Sequence, residues 1–397
     1  MKSEHRIVVL GAGYTGLLCA IRLARRTRRT GVRVTLVNPS PRFTERLRMH
    51  QVIAGQELAD HQIPEILDGT GVVFVRGAAT AIDTESRTVA VDTPDGPADL
   101  AYDSLVYALG SSTDTSTVPG ADEHAVTLNS PHAARHFAQK LAELARTGGA
   151  VNVCGGGLTG VEAATEIAES HPGLRVTLIS RGEPGPLMNA KARAHLYAAF
   201  ERLGITLRVG AAIGKVLSDG VELADGTLVP SDACLWTTGV RVPALAADSG
   251  IAVDERGLIL VDATLRSTSH PEIHAIGDAA AVRQAWGQVH GTCQSGLPVA
   301  AYTADALARR LRGKSVKPFR FGYFHQPVSL GRRDAVIQFT HADDTPRRWF
   351  LGGRAAVAYK ETISGSPLKM YRLSKRIPVS ASLSKGGRAT RPGASAR

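Results

Sequence analysis

The sequence predicts an α/β fold built from two Rossmann-like units, with a small α+β domain after them. Three observations carry this. Two glycine-rich turns, Gly11–Gly16 and Gly155–Gly160, each follow a short apolar run and precede residues at helical spacing. Their first glycines stand 144 residues apart, so the same supersecondary unit occurs twice. From about Pro318 the composition shifts to aromatic residues between short strand-like runs.

In chain order, Ile7–Leu10 reads as a strand running into Gly11-Ala12-Gly13-Tyr14-Thr15-Gly16. Leu17, Leu18, Ala20, Ile21 and Leu23 give the next helix its apolar stripe, and Val32–Val37 is the following strand. Residues 72–75, 88–91 and 105–108 read as further strands with polar turns between them. The second unit repeats the first: strand 150–154, turn Gly155-Gly156-Gly157-Leu158-Thr159-Gly160, helix 161–169, strand 175–179. Strand-like runs at 205–209, 221–223, 233–236 and 258–261 follow, then a helix from about Thr292 to Leu311.

The 397 residues suffice for two or three domains, and 43% hydrophobic with 21% charged residues is a globular composition. No apolar run reaches the roughly 18 residues that a spanning helix needs, and no secretory signal opens the chain, so a cytoplasmic protein is expected. The net charge of +11 is misleading. Eight of those charges lie between Lys369 and Arg397, which holds no acid, leaving +3 on the rest. The Arg22 to Arg29 cluster lacks interleaved aromatics, so it is expected as a solvated helix face and no nucleic-acid partner is expected. Cys19, Cys154, Cys234 and Cys293 form no CxxC pair, which argues against dithiol chemistry and a closed zinc site. HExxH, GxSxG and P-loop motifs are absent. His132 and His136 share a helix face without a third ligand, so no metal is expected.

In such a turn the first glycine allows the bend, the second lets backbone approach a pyrophosphate, and the third lets helix and strand pack closely. The dinucleotide's candidate contacts are therefore Gly11, Gly13, Tyr14, Thr15 and Gly16 in the first unit, and Gly155, Gly157, Thr159 and Gly160 in the second. The residue closing the second strand selects the ribose, and neither unit has the usual acid. Asn38 closes the first, where an amide still bonds a free ribose hydroxyl; Ser180-Arg181 closes the second, where a guanidinium favours a 2′-phosphate and hence NADPH over NADH.

Five motifs in order carry a resemblance: residues 8–16, Tyr102 to Gly110, Gly155 to Glu162, Leu235 to Val240, and Ile273 to Asp278. Over about residues 5–315 the chain resembles the two-dinucleotide-fold flavoprotein reductases, most of all type II NADH:quinone dehydrogenases and apoptosis-inducing-factor-like oxidoreductases. The resemblance implies FAD on the first glycine turn and NADPH or NADH on the second. It implies an FAD domain of residues 1–115 and 255–315 with an NAD(P)H domain inserted at 116–254; the compositional shift near Pro318 adds a C-terminal domain at 316–379, and the Ser-, Gly-, Arg- and Lys-rich end a basic disordered tail at 380–397. The resemblance also brings Ala108, Gly110, Gly239 and Gly277 to the cofactors, and gives Asp278 a hydrogen bond from the flavin ribityl chain.

The helix opened by Thr292-Cys293-Gln294 then points its N-terminus at the flavin, placing Cys293 and Gln294 there. Gln294 falls on the first Gln of the family's quinone motif; the second would fall at Pro298, a departure that puts a membrane quinone in doubt. The segment Met49 to Gly55 resembles the stretch beside the isoalloxazine, which puts His50 or Gln51 at the ring edge, with an exposed helix face as the alternative. The position of Glu162 approaches nicotinamide and flavin in relatives, whereas Glu166, four residues on, is expected as an ordinary solvated glutamate. Segments 329–333 and 359–361 also resemble relatives, with no chemistry assigned. The implied reaction is hydride transfer from NAD(P)H to flavin, then electron transfer to a quinone or small aromatic acceptor. A membrane-surface quinone dehydrogenase held at most peripherally by the basic tail, an electron donor to a protein partner, and a homodimer stay open.

Overall fold

The computed structural model describes residues 4–390, apart from the side chains of Cys293, Arg388 and Ala389. It opens with strand β1 (His5–Leu10), helix α1 (Tyr14–Thr27) and strand β2 (Val32–Asn38). The short helix α2 (Met49–Ile53) and strands β3 (Val73–Arg76) and β4 (Ser104–Tyr107) follow, with an antiparallel meander at Ala78–Ala101 set between these strands. The second unit comprises β5 (Val126–Thr127), α3 (Pro131–Thr147), β6 (Ala150–Cys154), α4 (Leu158–Ser170), β7 (Arg175–Ser180), β8 (Thr206–Val209) and β9 (Ala233–Trp236). Then come β10 (Ile273–Ala275), α5 (Cys293–Arg310), the antiparallel strands β11 (His325–Ser329), β12 (Ala335–Thr340) and β13 (Pro346–Gly352), and α6 (Gly353–Ser374).

Two five-stranded parallel sheets result, ordered β10-β4-β1-β2-β3 and β8-β7-β6-β9-β5. Parallel strands buried on both faces need continuous apolar runs, and β1 supplies one: Ile7, Val9 and Leu10 have no exposed surface. Registers Leu10↔Val37 and Cys154↔Ile179 align the strand ends, so both glycine turns emerge at the carboxyl edges of their sheets, where α/β folds bind ligands. The chain leaves the first sheet after β4 and returns to it at β10, which pairs with β4.

Two surface expectations fail in part: Arg28 and Arg29 are exposed as expected, but Arg22 is not. Arg22 is buried because its guanidinium makes a two-pronged pair with Asp305 on α5, 2.9 and 2.7 Å, and also donates to Val379 O, fastening α1 to α5. The segment 380–390, expected as disordered tail, lies along the aromatic run instead: Gly322 N donates to Ser384 O at 3.4 Å and Arg320 Nε to Thr390 Oγ1 at 2.9 Å. Residues 391–397 of that tail lie outside the described residues.

Candidate active site

The first turn has the geometry its glycines require. Gly11 sits at φ +95°, and a Cβ there would lie 2.5 Å from Ala108 O; a Cβ on Gly16 would collide with Gly11 O. Gly13 faces open space, with nothing within 4 Å of the position a Cβ would take. It is the N-cap of α1, and no side chain caps that helix, so first-turn N–H groups face the opening. Asn38 braces the turn: its Oδ1 accepts from Ala12 N at 2.9 Å and its Nδ2 donates to Ser40 O at 2.8 Å. The Tyr14 ring packs edge-on against Phe43, centroids 5.2 Å apart.

The second turn repeats this. Gly155 is at φ +122°, Gly157 faces open space as the uncapped N-cap of α4, and Gly160 is pressed against Gly155 O. Thr159 is exposed beside the opening. Ser180 is buried and donates to Gly182 O at 2.6 Å, while Arg181 next to it is exposed. Gly239, at φ +79°, lies against the Asp114 carbonyl on the neighbouring connection.

Two distant segments meet on Thr15. A Cβ on Gly277 would lie 3.0 Å from Thr15 Oγ1, and one on Gly296 would lie 2.8 Å from Thr15 Cγ2. Asp278 follows Gly277, half-buried, and accepts a hydrogen bond from Ser111 Oγ at 2.7 Å. Ser111 follows Gly110, and Arg46 donates to its carbonyl at 2.5 Å. A cleft of about 730 Å³ opens here, lined by Asp278, Ser295, Gly296, Trp286 and His290. A second cavity, about 570 Å³, lies between α2 and α3; residues of the glycine turns line neither cavity, and the larger one adjoins the first turn through Gly277 and Gly296.

Helix α5 begins beside that cleft. Unlike α1 and α4 it is capped: Thr292 Oγ1 accepts from Ser295 N at 3.2 Å, and the Ser295 hydroxyl in turn accepts from Thr292 N at 3.1 Å. The Cys293 side chain lies outside the described residues. Gln294 clamps the start of β11, its Nε2 donating to His325 O at 2.8 Å and its Oε1 accepting from Phe324 N at 2.8 Å.

Between α2, α4, β11 and α6 lies a buried charge cluster. Glu162 Oε1 accepts from Lys360 Nζ at 2.5 Å and from Ser329 N at 3.1 Å, with His50 Nδ1 3.7 Å from its other oxygen. Burial would raise the Glu162 carboxyl, but Lys360 and His50 outweigh it and hold it below the usual range. Burial drives His50 down to about 4, so its ring is neutral, and His50 Nε2 is buried with no partner among the described residues. His50 and Gln51 are each 3% exposed, which removes the exposed-face alternative. Glu166 corrects its expectation: it is fully buried, accepts from Gln56 Nε2 at 2.6 Å, and burial pushes its carboxyl up to about 7. The face it shares with Glu162 is covered by Arg332 and the third domain.

Residues 5–296 match the family model for pyridine nucleotide-disulphide oxidoreductases. The chain belongs to that family. A 28% identical relative is an NADH dehydrogenase-like protein of Mycobacterium tuberculosis, matched over 90% of this chain and 93% of its own length. A demethylphylloquinone reductase of Synechocystis is 28% identical over 84% of this chain and 87% of its own. Among solved structures, NDH2 of Plasmodium falciparum superposes with TM-score 0.80 at 15% identity, covering 94% and 97% of the two chains. The sulfide:quinone oxidoreductase of Aquifex aeolicus gives TM-score 0.78 at 18% identity, covering 93% and 92%.

Membership makes the chain an FAD-dependent NAD(P)H oxidoreductase. The residues fit those cofactors: each turn offers an uncapped helix N-terminus and an open second glycine, and Asp278 presents a carboxylate to the larger cleft. Among the described residues no pair of thiols lines the cleft. The only close thiols among the described residues are Cys154 and Cys234, 3.6 Å apart on adjacent strands and buried, with their mutual contact and burial pushing Cys154 up. The oxidoreductase's further candidates are His325, missed from sequence, and Tyr359 and Lys360, whose segment the sequence singled out without assigning it a role. A signal for Lys360 was present: Ala356, Lys360, Ser364, Pro367 and Tyr371 form one buried stripe, putting a lysine on the inward helix face.

Proposed function

We propose that this oxidoreductase carries two electrons from NADPH to a quinone or comparable aromatic acceptor. In this reading FAD lies on the Gly11–Gly16 turn and the nicotinamide nucleotide on the Gly155–Gly160 turn. The carrying observation is the convergence on Thr15 of the first turn, the Gly277-Asp278 pair and the start of α5, beside a cleft large enough for a planar ring system. Bound FAD supplies the two-electron relay between donor and acceptor. Asp278 accepts a hydrogen bond from a ribityl hydroxyl; His50 and Gln51 close the site from α2 and exclude water. Glu162, held ionised by Lys360, orients the carboxamide end of the nicotinamide. Gln294 keeps β11 against the start of α5, fixing the acceptor side.

The quinone class is supported by the relatives' names and by the lack of any CxxC pair in the sequence. The exposed Arg181, with no acid at the ribose position, supports NADPH. No helix among the described residues is long and apolar enough to cross a membrane, and the reading is of a cytoplasmic enzyme with peripheral contact at most. The test is anaerobic titration with NADPH and, separately, NADH, following the oxidised-flavin band. Bleaching at one equivalent, with a lower requirement for NADPH, is expected. A bound flavin that neither nucleotide reduces would refute it.

A further inference from the structure

Resting on the quinone reading, we infer that Tyr359 gives the acceptor its second proton and that His325 positions and resupplies it. Reducing a para-quinone to the hydroquinone takes two electrons and two protons. A hydride equivalent brings both electrons and one proton, so one proton must come from the protein. Tyr359 Oη lies 2.6 Å from His325 Nδ1. The His325 backbone is held by Gln294 at the start of α5, so the pair is anchored to the acceptor side. Burial and Lys360 push His325 down to about 4, and burial raises the Tyr359 hydroxyl, so at neutral pH the imidazole is uncharged and the phenol keeps its proton.

The surroundings suit a planar ring. Phe324 packs edge-on against His325 at 5.6 Å, Phe339 against Tyr359 at 6.1 Å, and Trp349 lies 4.2 Å from Phe339, with Phe324 and Trp349 37% and 55% exposed. This aromatic wall runs from the surface to the pair. In the step, the Tyr359 O–H bond breaks as a proton bonds to the quinone oxygen. The phenolate is then reprotonated from Nδ1–H of His325 while its Nε2 takes up a proton from bulk solvent, so the pair ends neutral and the solvent supplies the one proton the overall reduction consumes.

The test separates the half-reactions. Tyr359→Phe in the holoenzyme is expected to leave flavin bleaching by NAD(P)H unchanged and to slow reoxidation by menadione about a hundredfold. Reoxidation by ferricyanide, which takes electrons one at a time without a proton, should be unchanged. His325→Gln should show the same selectivity, with an altered pH profile and solvent isotope effect confined to the menadione step. A Tyr359→Phe variant equal to wild type with menadione, or slowed alike with both oxidants, overturns the proposal while leaving the quinone reading intact. Failure of the wild-type protein to reduce menadione at all overturns that reading and the proposal together.

Discussion

Replacing Lys360 by Met should cost this protein more than replacing both members of its ion pair. The Lys360 and Glu162 side chains are 9% and 11% exposed, and their charged atoms are 2.5 Å apart. Lys360→Met leaves a buried carboxylate whose remaining partners are the Ser329 N–H and a neutral His50 at 3.7 Å. Removing one member of such a pair costs about 3–5 kcal/mol, because the survivor keeps its desolvation penalty. The double variant Glu162→Gln, Lys360→Met removes both charges and should recover most of that loss. The pH dependence follows from the depressed Glu162 carboxyl: its contribution is full above its unfolded-state pKa and disappears as pH falls through the folded value. Lys360→Met should therefore lose least, relative to wild type, at acid pH. Denaturant melts of the four proteins at pH 7 and near pH 4 measure this cycle. A Lys360→Met loss below about 1 kcal/mol at pH 7, the scale of an exposed pair, would refute the reasoning, as would a double variant no more stable than the single.

Glu166 titrates with the opposite sign. Its carboxyl is raised from 4.5 to about 7, so it loses stability as pH rises between those values, by at most about 3 kcal/mol. Glu166→Gln keeps a partner for Gln56 and should flatten that part of the stability profile. Gly13→Ala should leave the apoprotein's melting temperature unchanged, because its Cβ meets open space, yet lower retained FAD; Gly16→Ala should prevent folding, because its Cβ meets Gly11 O. Gly157→Ala should keep FAD and weaken nicotinamide binding, read as Kd by fluorescence. Arg181→Ala should raise KM for NADPH about tenfold and leave that for NADH nearly unchanged, since one charge-assisted contact is worth about 1.5 kcal/mol or more; equal effects would show that Arg181 does not read the phosphate.

The glycine turns were legible because their constraints are local: a positive φ, an open second position and a crowded third follow from six residues and the strand before them. The buried cluster was not, because it is assembled across the whole chain. Glu166 reads as one more acid on a polar helix until Gln56 and Arg332, 110 and 166 residues away in sequence, close over it. Cys154 and Cys234 share no motif, yet parallel pairing of β6 with β9 brings their sulfurs together. Thr15 shows the same limit: its place in the first turn is evident, whereas its contacts with Gly277 and Gly296 depend on where the chain returns.

The return of the chain to its first sheet also sets an order in which the molecule can be made. Strand β10 is the outer member of that sheet, and α1 is fastened to α5 through Arg22 and Asp305. The amino-terminal strands leave the ribosome early but stay without an edge partner until about residue 275 has been synthesised. The second sheet draws all its strands from residues 126–236 and is complete before then. During synthesis the second sheet therefore matures first, and the first sheet waits for its own distant strand. A fragment stopping at Trp236 contains one finished sheet and one open one, so the open edge of the first sheet is the part of this enzyme that most needs protection from aggregation.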